Sequence, residues 1–229
     1  MAIIRLLCNK TKKERKAVVK IIILNERDIK IINEIQHWRF LLSRQIKVLG
    51  GFNGQRACDR RIKKLIEAGY IERKYIIHGV PRLYFITSKA VKLLDLEYRT
   101  ANIRIEQIAH DIAVIDTAIF LINKENVDSA SIITERDLKH KAGFGRCNKH
   151  FPDFTYTKDG HSCCVEIELS AKKLSTLEKN IKNNYVAYNS QRWYVMDNSK
   201  VQANITAVGK KYGVEIISLK GVTEFVRNL

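Results

Sequence analysis

Residues 55–71 read Gln55-Arg56-Ala57-Cys58-Asp59-Arg60-Arg61-Ile62-Lys63-Lys64-Leu65-Ile66-Glu67-Ala68-Gly69-Tyr70-Ile71. Ala57, Ile62, Leu65 and Ile66 fall near helical spacing, which predicts a helix over 55–68 with one apolar stripe. Gln55, Arg56, Arg60, Arg61, Lys63 and Lys64 cover its other faces. Gly69 supplies the stop, because glycine tolerates the left-handed backbone that ends a helix. A helix buried on one side and rich in arginine near its start suits a DNA major groove, where Arg pairs bidentately with guanine and Gln with adenine.

The flanking segments agree with that reading. Upstream, Asn25 and Asp28 before Ile29, Ile31, Ile32 and Ile35 predict a capped first helix. Ser43 is expected to cap a second, short helix that Gly50 and Gly51 terminate. Downstream, β-branched and aromatic residues over 70–77 and 82–87, on either side of His78-Gly79-Val80-Pro81, predict a strand, a turn and a strand carrying Arg73, Lys74 and Arg82. Residues 88–99 should form a further helix. The order helix, helix, basic helix, β-hairpin resembles the winged helix-turn-helix family, and the resemblance implies duplex DNA as partner, with residues 25–99 as the DNA-binding domain. Residues 1–24 are set apart as a basic extension.

Charge is distributed to match. The 229 residues carry 41 Lys and Arg against 24 Asp and Glu, a formal net charge of +17. The first hundred residues hold 23 of those cations and 9 of the acids, whereas the remainder is near balance with 18 and 15. A cation excess confined to one half points to a polyanionic partner for that half. Interrupted apolar runs predict neither a membrane span nor a secretory signal. Five cysteines without paired spacing predict reduced thiols and a cytoplasmic setting.

Residues 100–229 are expected to form a second, α/β domain with a mixed sheet. A long helix through Ile105, Ile108, Ile112, Ile115, Ile119 and Leu121 opens it. Strands are predicted over 129–135, 152–157, 162–169, 192–196 and 214–218, with helices over 172–189, 200–211 and 222–228. The order helix, three strands, helix, strand resembles the PD-(D/E)xK nuclease-like core, carried by Pro152-Asp153 and by Glu166-Ile167-Glu168. That resemblance implies Asp153 and Glu166 as ligands of Mg²⁺, with Glu168 on the same strand face as Glu166. Glu168 occupies the place of the family's lysine, so Lys172 or Lys173 would have to supply the positive charge. A non-cleaving, nuclease-shaped scaffold is preferred over an active enzyme.

The two halves together resemble the replication-relaxation proteins of plasmids and mobile elements. The matching stretches are Asn25-Glu26-Arg27-Asp28, the basic helix at 55–68, residues 108–116, Pro152-Asp153 and residues 165–170. The resemblance implies DNA handling in plasmid replication, relaxation or mobilisation during conjugation, with relaxase or replication proteins as partners and a homodimer as the assembly. The alternatives are a Mg²⁺-dependent nickase using Asp153 and Glu166, and a dimeric winged-helix transcriptional regulator. Cys147, His150, His161 and Cys163 lack the tight paired spacing of a zinc site. Gly143-Phe144-Gly145-Arg146 is too short to cradle phosphate, and His110 reads as a core or interface histidine.

Overall fold

The computed structural model describes residues 22–96, 103–143 and 150–229. Expectations for residues 1–21 and 97–99, and for Cys147 and residues 144–146, lie outside them.

The first unit begins with α1 (Glu26–Trp38), whose start is a closed capping box: Asn25 Oδ1 accepts from the Asp28 amide at 3.0 Å, and Asp28 Oδ2 accepts from the Asn25 amide at 2.9 Å. A two-residue strand, β1 (Leu41–Leu42), precedes α2 (Ser43–Leu49). Gln45, not Ser43, caps α2, by accepting the Leu42 amide at 2.8 Å, while the Ser43 hydroxyl donates to Asp59 at 2.6 Å. Gly50 ends α2, and Gly51, at φ +64°, turns the chain towards α3 (Gln55–Glu67). The hairpin follows as β2 (Ile71–Lys74) and β3 (Leu83–Ile86), and β1, β3 and β2 form one antiparallel sheet in that order. Its strands are shorter than their apolar composition suggested, leaving residues 75–82 as the connecting loop. The next helix, α4 (Ser88–Leu93), is capped by Thr87 and is also shorter than expected.

The second unit is built on α5 (Ile108–Lys124) and a five-stranded mixed sheet. Its strands are β4 (Ile133–Thr134), β5 (Phe154–Lys158), β6 (His161–Glu168), β7 (Ser190–Val195) and β8 (Val214–Ser218), in spatial order β4-β5-β6-β7-β8. The first two pairings are antiparallel and the last two parallel, with α7 (Leu174–Ala187) and α8 (Ser199–Gly209) making the crossovers. The chain closes with α9 (Leu219–Asn228). The strand expected over 129–135 is mostly something else: a 3-10 turn, two strand residues, and then α6 (Glu135–Lys141), which composition did not suggest. The molecule is thus mixed α/β, as expected, with one antiparallel and one mixed sheet.

Strand alternation divides the large sheet. Phe154, Val165, Ile167 and Tyr194 join the core that holds α5 and α9, while Trp193 and Val195 pack with Leu177 and Ile181 of α7 and Val201 and Ile205 of α8. The first of these cores extends without a break into the first unit, through Ile31, Ile35, Leu41 and Ile46. Trp38 meets Phe154 edge to face across the junction, with ring centroids 6.2 Å apart. Arg44 on α2 grips Asp116 on α5 through two bonds of 2.7 and 2.6 Å, and Gln45 donates to the same carboxylate at 2.7 Å.

Candidate functional site

Two places gather chemistry. The first is the outward face of α3. Cys58, Ile62 and Leu65 are buried, so at 3.6 residues per turn the opposite face consists of Arg56, Arg60, Lys63 and Lys64, all exposed. Arg56, Arg60 and Lys64, like Arg73 and Arg82 of the hairpin, have no acidic partner among the described residues, whereas Lys63 lies 4.0 Å from Glu67 and Lys74 lies 2.6 Å from Glu72. Lys63 and Arg73 line one groove of about 830 Å³ between α3 and the hairpin.

Two residues expected on that face are committed elsewhere. The Arg61 guanidinium is bound bidentately to Asp28, with Nε donating to Oδ1 at 2.6 Å, and Asp28 is fully buried. Gln55 donates to Ser43 at 2.5 Å and to Asp59 at 2.8 Å. Both side chains tie α3 to its neighbours, Arg61 to α1 and Gln55 to α2. A sequence shows how many cations a helix carries, but not which of them meets a buried acid from a distant turn.

The second place is a cleft of about 590 Å³ between the end of α1 and the ends of β5 and β6. Asp153 stands just before β5. Its Oδ2 accepts the Ile167 amide at 2.7 Å, so the side chain takes the place of the strand backbone as β6's partner just ahead of the first residue of β5. The same oxygen lies 3.4 Å from His110 Nε2. Glu166 is buried, and its Oε1 accepts from His150 Nε2 at 2.6 Å and from Asn184 Nδ2 at 2.8 Å. Glu168, also buried, pairs with Lys172 Nζ at 2.8 Å. Glu166 and Glu168 do share a face, opposite Trp193 and Val195 of β7. Lys172 precedes α7 instead of lying on it, and the exposed Lys173 is that helix's N-cap, with no ion pair to the carboxylates among the described residues.

Burial shapes the charges. It pushes the Glu166 carboxyl above the usual carboxylate range; His150 opposes the rise and Asp153 adds to it. Burial alone would depress His110, yet its contacts with Asp111 and Asp153 win and raise it to about 10. Lys172 is likewise lowered by burial but raised overall by Glu168. His37, across the cleft, is lowered because burial prevails there over Asp137. Arg39, held at φ +71°, reaches from the end of α1 to Asp111 at 2.8 Å.

Mg²⁺ takes about six oxygens in near-ideal octahedral geometry. Here each carboxylate already has a protein partner, and among the described residues no three His, Cys, Asp or Glu side chains converge as a ligand set. The residues present do not fit a divalent-cation site. His150 and Cys163, half of the zinc-type quartet, are likewise separated: His150 serves Glu166, and Cys163 belongs to the core on the α5 side. In the sequence His110 reads as a core or interface histidine and His150 as part of a loose zinc-type quartet, because neither stands near its carboxylate along the chain. Among the described residues no helix is long and apolar enough to cross a membrane. Comparison with protein-family models, characterised proteins and solved structures finds no match to this chain.

Proposed function

We propose that the protein binds duplex DNA through α3 and the wing, and that the α/β unit is a scaffold that does not cleave. The observation carrying this reading is the solvent-facing row of Arg56, Arg60 and Lys64, cations without acidic partners among the described residues on a helix whose other side is packed. Unpaired exposed cations cost little to hold in water and gain most when they replace the counterions of a phosphate backbone. Arg73 and Arg82, both close enough to act on the Tyr84 hydroxyl, put further charge at the root of the wing. The preference for a scaffold follows from the paired state of Asp153, Glu166 and Glu168. Plasmid replication or mobilisation, the setting implied by the family resemblance, is proposed on that resemblance alone.

The test is a fluorescence-anisotropy titration of the whole protein with a duplex, repeated over a salt series. Arg60→Ala combined with Lys64→Ala is expected to weaken binding tenfold or more and to flatten the salt slope by about one for each phosphate no longer neutralised. Unchanged affinity and slope would overturn the docking face. Supercoiled plasmid incubated with the protein and Mg²⁺ or Mn²⁺ should stay intact; nicking that disappears in Asp153→Ala would instead establish the nuclease.

A further inference from the structure

The outward face of α7 carries a patch unrelated to the cleft or to α3. Tyr185 and Val186 stand three and four residues after Lys182, so all three lie side by side on the helix. Tyr185 is 56% and Val186 79% exposed, which leaves an aromatic ring and a branched aliphatic next to each other in water. Tyr212, from the 3-10 turn Lys210–Tyr212 before β8, leans on Tyr185 with centroids 5.4 Å apart and ring planes at 57°. Lys211 Nζ stands 4.9 Å from the Tyr212 ring centre and 3.1 Å from Glu178. Lys182 has no acidic partner among the described residues.

We propose that this patch binds single-stranded nucleic acid, with bases stacked on the open face of Tyr185 and phosphates held by Lys182, and by Lys211 in exchange for Glu178. An aromatic surface held by a second ring and flanked by ammonium groups matches the two components of a single strand, a planar π-face and a negative backbone, presented at neighbouring positions. A duplex keeps its base faces inside its own stack and would meet only the lysines. An acidic peptide would satisfy the lysines and leave the ring unused. The proposal does not depend on duplex binding by α3, since no residue is shared.

The experiment uses the whole protein and a fluorescein-labelled oligothymidylate, which has no secondary structure, beside a duplex of the same length. Tyr185→Ala is expected to weaken oligothymidylate binding about tenfold and Tyr185→Phe to preserve it, because stacking needs the ring and not the hydroxyl. Lys182→Ala should also weaken it and leave a shallower dependence on salt than in the parent protein. Duplex affinity should stay unchanged in all three variants, and oligothymidylate affinity unchanged in Arg60→Ala with Lys64→Ala. Equal affinity of Tyr185→Ala and the parent for oligothymidylate would overturn the proposal. So would loss of single-strand binding only in the α3 variant, or polyglutamate competing for the site as well as oligothymidylate does.

Discussion

Arg61 and Arg60 are neighbours of one chemical type with opposite fates. Arg61 neutralises an acid with no exposure to solvent, so Arg61→Ala strands the Asp28 carboxylate and should cost about 3 kcal/mol, read as a lower urea midpoint. Arg60→Ala touches no partner and should change stability by less than about 0.5 kcal/mol. A binding defect in Arg61→Ala without lost stability would contradict this division. His110 makes a second residue-scale prediction. Its folded value of about 10 lies above the ordinary 6.5, so the fold favours the charged ring. The stability from that preference is complete below pH 6.5 and disappears as pH climbs through about 10. Urea midpoints of the parent protein should therefore fall across this interval, and those of His110→Gln should fall less. In a nuclear magnetic resonance titration, the His110 ring should stay doubly protonated at neutral pH while that of His37 is neutral.

At the scale of elements, α5 is the part on which both units rest. It receives Arg39 at Asp111 and Arg44 with Gln45 at Asp116, while Arg192 of β7 bonds to Glu125 just beyond its end at 2.6 Å. Asp116→Ala leaves a guanidinium and an amide without their acceptor in a largely buried place and should cost about 3 kcal/mol in urea unfolding; a loss under about 1 kcal/mol would show the clasp to be dispensable. Most elements were legible from periodicity and punctuation: Asn25, Gly50 and Gly69 stand at the boundaries expected of them, and alternation over 162–168 puts Glu166 and Glu168 together. What was not legible has physical causes. The helix α6 has no buried residue, so it leaves no apolar stripe; its one signal is Thr134 with Asp137, a capping box hidden in what reads as a strand. The carboxylates of the cleft were visible as types and spacing. Their partners were not, because His150 lies 16 positions from Glu166 and His110 farther still from Asp153, distances over which no local pattern operates.

For the molecule as a whole, the uninterrupted core across the α1, α2 and α5 contacts implies that the first unit and the five-stranded unit unfold together. The two tryptophans test this, since Trp38 sits at the junction and Trp193 under α7 and α8. Trp38→Phe and Trp193→Phe, each leaving one reporter, should give coincident denaturation curves; separated midpoints would show two independent units. The same junction affects synthesis. Chains leave the ribosome from the N-terminus at about 5–20 residues per second, so the helices ending at Leu49 are made well before Ile108–Lys124 arrives to cover them. Arg44 and Gln45 stay without their Asp116 acceptor until that late helix arrives, so a nascent chain stalled between these points holds the α2 face unclasped.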